Sequence, residues 1–573
     1  MRRRSQATTR KFSLGCIFLA SLALMIGCAA PPANGPTVGS SGPNAGPKRI
    51  VAAINSNPPT LSSSDIGAGS GTYQGGDAIE DLINGGLAVV DNRSTLVPQL
   101  SEMVPSTDNG LWQVFPDGTM ETRWSIKPQA AWHDGVPFTS KDLLFTMTLS
   151  KDKDLPIFAN NALDYVVDVQ APDDHTVAVL WSRPFVSADL LFTRRLAFPR
   201  PAHILGPAYV DRKDTVLSSP YWREQFVGTG PFKVKQWVAD SHVVLQANEQ
   251  YILGRPKLDE VEVRFIPDPN TLVANLLAGE IELTLGRSLQ VSDTEQIKDR
   301  WTGTIGVGID NWIALWVQFI GTNPPILMDV RMRRTLLYSI NRQEMVDAIE
   351  YGSVPVAHSF LNPTDAAYPQ IESRIVKYDY DPRKATQLLE DLGFRRSADG
   401  LVRDASGQTL PLDVRTNPGH EQRIQAIANY FKAVGIAAEP FVIPDSRRSD
   451  REYDDTYPGV RLWRLPNNRE DVVRFHSRES PLPENRFAGA NRSRYSNPEF
   501  DALIDRYTAT IPLNQRISIL SDIVFHMTDQ LPEMGINFNA QPMLAAARIR
   551  NVIIRGVGGS TEAWNAASWD VAG

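Results

Sequence analysis

Side chains able to do chemistry are scattered through this 573-residue chain. The most suggestive pair is His133-Asp134. A histidine beside a carboxylate can serve as a general base with its orienting partner, or as part of a metal site. Both roles need further convergent groups and an exposed cleft. The pair lies in WSIKPQAAWHDGVPFTSKDLLFTM, Trp124 to Met147, where Asp134-Gly135 is a turn dipeptide because glycine accepts the positive φ of such turns. A structural turn is the expected role. The eight histidines, from His133 to His526, include no pair at the spacing of two metal ligands on a helix. There is no G-x-S-x-G nucleophile elbow. The glycine-rich run from Gly67 to Gly76 lacks the G-x-G-x-x-G and Gly-Lys-Ser/Thr patterns that cradle phosphates. Adjacent carboxylates such as Asp454-Asp455 point apart in most backbone geometries. The expected protein is not an enzyme and carries no cofactor and no metal.

The elements around these residues read as mixed α and β. Trp124 and Ile126 alternate with Arg123, Ser125 and Lys127, the period of a half-buried strand. Thr139 is placed to cap a helix, with Asp142 closing a capping box, and Leu143, Leu144 and Met147 follow at helical spacing. RIVAAI opens the folded part as a strand, and Asn55-Ser56-Asn57-Pro58-Pro59 ends it. A helix is expected over Ala78 to Gly85, a strand over His175 to Trp181, and a turn at Gly228-Thr229-Gly230-Pro231 leading into a strand at Phe232. Asn270 to Ala278 reads as a helix stopped by Gly279. NWIALWVQF, Asn311 to Phe319, is short and apolar enough for a buried strand. Asp329 caps a helix through Ile340, and Asn341 with Glu344 starts the next. Arg331, Arg333 and Arg334 on the first of these are expected on a solvated face with ion pairs. Asp381-Pro382 opens a helix that Gly393 closes. Leu410 to Ile443 reads strand, helix, strand, SNPEFDALID starts a further helix, and Ile517 to Met527 another.

The N-terminus reads as an export signal. Arg2, Arg3, Arg4, Arg10 and Lys11 precede an apolar run of sixteen, Phe12 to Gly27. That is short for a bilayer, which needs about 20 residues, and suits a secretory segment. Gly27-Cys28 resembles a lipobox, with cleavage before Cys28 and lipid on its sulfur. Only Cys16 and Cys28 are present, so the mature chain would hold no internal disulfide. Ala29 to Pro47 is uncharged and rich in Pro, Gly and Ser, as flexible tethers are. Loss of the signal segment takes the formal charge from -7 to -12. An acidic surface argues against nucleic acid as a partner.

AWHDGVPFTSKDLLFTM is similar to the signature of the bacterial extracellular solute-binding proteins of family 5, the oligopeptide-, dipeptide- and nickel-binding components of ABC importers. GTGPF, NEQYILGRPKLDEVEVRFIPD, the Asn270–Ala278 helix with GEIEL, DVRMRRTLLYSINRQEM and YDPRKATQLLEDLGF resemble further family blocks in the same order. The resemblance implies an α/β, two-lobed type II periplasmic-binding-protein fold with an inserted subdomain in the first lobe. Its expected layout is signal peptide 1–27, tether 28–47, first lobe 48–310 with the insert at about 86–220, second lobe 311–535, and a C-terminal segment 536–573 completing the first lobe. It further implies a monomer outside the cytoplasm, in the periplasm or at the cell surface, held to the membrane by lipid on Cys28. Such a protein would capture a solute, foremost a peptide, and deliver it to permease subunits with a cytoplasmic ATPase. Ligand contacts are expected at Asn57, Tyr73, Arg461, Trp463, Asn467 and Asn468. Peptide-binding relatives place an acidic residue shortly after an aromatic to hold the peptide amine. Trp463 fits the aromatic, but Leu465, Pro466 and Asn467 stand where the acid is expected, with Asp471 as a possible substitute. A peptide bound without an amine anchor, or an oligosaccharide stacked on tryptophan, therefore both remain open. An exported enzyme and a sensory lipoprotein are the further alternatives.

Overall fold

A computed structural model of the chain describes residues 46–63, 73–155, 158, 160–447, 450–556 and 559–572. The expectations for the signal segment and Cys28 lie outside these residues, as does most of the tether and of the glycine-rich run. The fold below is that of Pro47–Gly573.

Local signals set most elements. Thr139 and Asp142 form the expected reciprocal capping box at the head of Ser140–Lys151. Asp329 caps Val330–Ser339, and Asn341 caps Arg342–Ile349. Asp381 and Asn497, each followed by proline, cap Pro382–Asp391 and Pro498–Ala509. Pro411–Thr416, Glu421–Ala433 and Ala437–Val442 form the expected strand, helix and strand, and the two strands pair in parallel.

A ten-stranded sheet runs through the molecule. In one half, Arg49–Ile54 lies parallel to both Glu260–Phe265 and Leu283–Thr284. In the other, Pro411–Thr416 lies parallel to Ala437–Val442 and Val460–Pro466. Two long antiparallel strands, Thr304–Val317 and Glu533–Ala545, join the halves. The apolar run expected from Asn311 is thus only the distal part of a strand that begins seven residues earlier. Its proximal part, with Gly306 and Gly308, lacks an apolar run to announce it. The C-terminal chain lies against that part. A Cβ on Gly306 would sit 2.0 Å from Ile554 Cδ1, and one on Gly308 2.8 Å from the carbonyl oxygen of Arg555. The register slips by one residue between Ile309 and Asn311, a bulge that bends a strand where one half gives way to the other.

Each half has its own core. Ile50, Leu82, Phe232, Val263 and Trp569 belong to one. The other half packs on both sheet faces, with Leu315, Leu336 and Phe431 on one and Trp312, Trp316 and Leu520 on the opposite. Between Arg49–Ile54 and Phe232–Val238 the chain builds a separate four-stranded sheet. Its core holds Trp112, Trp124, Trp132 and Trp181.

Two expectations are corrected. Arg333 is buried rather than solvated. Its guanidinium donates to the carbonyls of Gln530, Leu327 and Met328, and burial draws its pKa down to about 10. Arg331 and Arg334 do form the expected ion pairs, with Asp329 and Asp529. Asp454 and Asp455, expected to diverge, converge on Arg492 at 2.9 and 3.2 Å.

Candidate functional site

The register locates a cleft. Leu283 lies opposite Ala545, which lies opposite Thr304, so the strands around Arg49–Ile54 run in the direction of Thr304–Val317. Val460–Pro466 runs the opposite way and ends with Pro466 beside Asn311. The parallel strands of both halves therefore point their carboxyl ends at the middle of the connecting strands. Crevices outside such carboxyl ends are where α/β sheets bind ligands.

On the first-lobe side the groups at these ends are charged and paired. Arg555 grips Glu562 through two bonds, Nε to Oε1 at 2.7 Å and Nη2 to Oε2 at 3.0 Å. Glu562 also accepts the Gly286 N–H at 3.2 Å. Burial opposes the charge on Asp77, yet Arg555, Arg194 and Arg287 hold its pKa down at about 2. One turn later Asp81 is raised to about 6 by burial, against the pull of Arg194. His133 is not exposed to the cleft. Its Nδ1 accepts the Gly228 N–H at 3.2 Å and its Nε2 donates to Gly230 O at 3.1 Å. Burial depresses its pKa to about 4, so it is a neutral strut clasping the turn at Gly228 to the turn at Asp134. Asn57 is exposed just beyond the end of Arg49–Ile54, and the Tyr73 hydroxyl, partly buried, donates to Thr60 O at 2.9 Å.

On the second-lobe side and along the connecting strands, ion pairs stand beside buried amides, two of which have unmatched atoms. Asn467 is fully buried, and neither its Oδ1 nor its Nδ2 finds a partner. The Oε1 of Gln541, beside Gly308, accepts nothing either. Leaving a buried polar group unpaired costs about 1–3 kcal/mol, so a ligand that satisfies them gains affinity. Asn468 is occupied locally. It accepts the Asp471 N–H at 3.1 Å and donates to Asp471 Oδ2 at 2.5 Å, which also engages the carboxylate considered as an amine anchor. Arg461 is buried, ion-paired with Asp454 at 2.8 Å and bonded to Asn417 at 3.1 Å. Trp463 is partly buried with His420 edge-on at 5.1 Å. Burial, with Arg423 and Arg464 nearby, lowers the His420 pKa to about 4.

The strand carrying Trp463 has an open edge. Pro411–Thr416 pairs only with Val460, Arg461 and Leu462. From Trp463 to Pro466 that side has no strand partner among the described residues, while the other side stays paired to Thr304–Val317. The sequence points to Trp463 and Asn467 but not to this edge, nor directly to Gln541. The signal for Gln541 was present, since Asn537, Asn539 and Gln541 alternate with Phe538 and Ala540 in a central strand.

A cavity of about 310 Å³ lies between the inserted subdomain and the second lobe, with Ser94, Asp189 and Arg195 on one wall and Arg469, Glu470 and Arg516 on the other. Arg469 crosses it to donate to Ser94 O at 3.0 Å. Among the described residues no group of three or more His, Cys, Asp or Glu side chains could hold a metal ion, and no helix is long and apolar enough to cross a membrane.

Comparison with known proteins agrees with this architecture. The family model for bacterial extracellular solute-binding proteins, family 5 middle, matches residues 102–477. A Brucella ovis relative is 32% identical over 268 residues, 46% of this chain and 48% of its own. The chain thus spans about half the length of that relative. The oligopeptide-binding protein AppA of Bacillus subtilis is 25% identical, over 74% of this chain and 75% of its own length. Among solved structures, NikA of Brucella suis in complex with Fe(III)-EDTA superposes with a TM-score of 0.72 at 16% identity, covering 91% of this chain and 100% of that one. The oligopeptide-binding protein of Thermus thermophilus complexed with pentapeptide gives 0.65 at 22%, covering 91% and 96%. With its two-lobed fold and a matched segment spanning more than half of its length, the chain belongs to family 5 of the bacterial extracellular solute-binding proteins.

Proposed function

We propose that this chain captures a peptide between its lobes and hands it to an ABC import permease, without catalysis. The observation that carries the reading is the unpaired edge from Trp463 to Pro466 at the cleft. An exposed strand edge takes an extended peptide as an added strand, with main-chain bonds giving affinity and side chains left to pockets. The Asn467 amide supports this, since it offers a donor and an acceptor to a peptide unit. No carboxylate follows Trp463 closely, and Asp471 is engaged by Asn468, so the peptide amine is held without a charged anchor there. A thermal-shift screen of di- to pentapeptides, N-acetylated peptides and oligosaccharides tests it. Peptides should stabilise the protein by about 2.7 kcal/mol at a hundredfold excess over Kd, and acetylation should change little. Stabilisation by oligosaccharides alone would overturn the reading.

The same proposal assigns the bounds expected above, 48–310, 311–535 and 536–573, to the lobes, and ligand contact to Asn57, Tyr73, Arg461, Trp463, Asn467 and Asn468. It places the protein outside the cytoplasm as a monomer tethered by lipid on Cys28. Release of a Cys28→Ser variant from membranes supports the anchor, and unchanged retention rejects it.

A further inference from the structure

A second hollow, of about 230 Å³, lies within the first lobe and shares only Val90 and Arg195 with the interlobe cavity. Its lining is largely apolar, with Val89, Val97, Phe198 and Leu253 among the residues. An engineered apolar cavity of about 150 Å³ admits benzene, so this one has room for a ring and a small head group. Two residues of its lining, Asn84 and Trp564, each carry a buried donor without an acceptor. Asn84 is 1% exposed. The Thr229 N–H, which can only donate, fixes its Oδ1 at 3.2 Å. The amide orientation is therefore determined, and Nδ2 on the opposite side has no partner. The indole Nε1 of Trp564 is likewise buried and unpartnered. Asp81, also in the lining, is already engaged by Arg194 Nε at 2.8 Å and Thr561 Oγ1 at 2.7 Å. Arg195 forms no ion pair among the described residues.

Two unmatched N–H groups, a guanidinium without a carboxylate and apolar walls complement one chemistry. We propose that this cavity binds a carboxylate carried on a small apolar body. The carboxylate could belong to a free acid or to the C-terminal residue of a peptide reaching past Val90 and Arg195. Only the peptide source rests on the function proposed above.

The test is calorimetric titration of the full chain and its Trp564→Phe and Ala567→Leu variants with phenylacetate, phenylacetamide, Ala-Ala-Phe and Ala-Ala-Phe amide. Trp564→Phe removes a donor and keeps the shape, while Ala567→Leu fills the hollow. Circular dichroism melts check that both fold. Phenylacetate should bind the parent about tenfold more tightly than phenylacetamide, as a charge-assisted bond requires. It should weaken severalfold in Trp564→Phe and be lost in Ala567→Leu. A peptide source adds a similar loss on amidation of Ala-Ala-Phe, absent from Ala567→Leu. No phenylacetate binding to the parent, or equal binding to parent and both variants, overturns the site. Ala-Ala-Phe bound equally by all three proteins excludes the peptide source and leaves the proposed function standing. Phenylacetate bound as expected with no peptide bound at all defeats that function and leaves the site.

Discussion

The two walls of the cleft hold their polar groups differently. At the first-lobe strand ends, Arg555, Glu562, Asp77, Asp81 and Arg194 neutralise one another at bonding distance. At the second-lobe end and on the connecting strands, neutral amides such as Asn467 and Gln541 are buried with bonding capacity unmet. A closed charge network resists rearrangement, because breaking one member strands its partner in low dielectric. An unmet amide destabilises the free protein slightly and rewards whatever completes it. The first wall is thus a matched frame, and the second holds buried bonding capacity that the proposed peptide would complete.

The strongest way to break this contrast is to attack the frame. Arg555 and Glu562 are 4% and 1% exposed, and Arg555→Met strands the carboxylate. Urea denaturation should show a loss of about 3–5 kcal/mol, with peptide affinity little changed in protein that remains folded. A loss below about 1 kcal/mol would mean that the network is not the frame described here.

Next in size is the acid response. Asp455 in the second lobe is 1% exposed, and burial raises its pKa to about 6 despite Arg492. The native state then holds a proton that the unfolded chain has lost, so this group makes stability fall as pH rises from about 4 to 6. A shift of about two units corresponds to about 2.7 kcal/mol. Asp455→Asn should flatten that part of the denaturation profile. The same slope in variant and parent would show that the residue does not carry it.

Asn467→Leu sharpens the contrast from the other wall. Stability of the free protein should hold or rise by about 1 kcal/mol, while peptide affinity drops about tenfold. A variant that loses stability instead would place Asn467 in the frame. The smallest effect belongs to Arg469, which reaches from the second lobe to Ser94 O. Removing its reach in Arg469→Met should weaken ligand binding by about 0.5–1 kcal/mol and enlarge the radius of gyration in small-angle scattering of the free protein. Identical scattering would show that this contact does not bias closure.

The sequence alone determined what is settled within a few residues. Thr139 with Asp142, Asp381-Pro382 and Asn497-Pro498 each start a helix, because the cap closes its hydrogen bonds locally. The ordered signature blocks carried the family and with it the two-lobed α/β fold. Trp463 and Asn467 were legible as residues, but their situation was not. The strand edge beside Trp463 is open because Pro411–Thr416, some fifty residues earlier, stops pairing at Leu462. Arg333 is buried because the chain at Gln530 supplies a carbonyl to it. His133 is a strut because Gly228 and Gly230 come to its ring, and Asp454 and Asp455 meet because Arg492 lies between them. In each case the partner is distant in sequence, so the side chain's role depends on the tertiary fold, which alone decides which buried groups are matched and which are not.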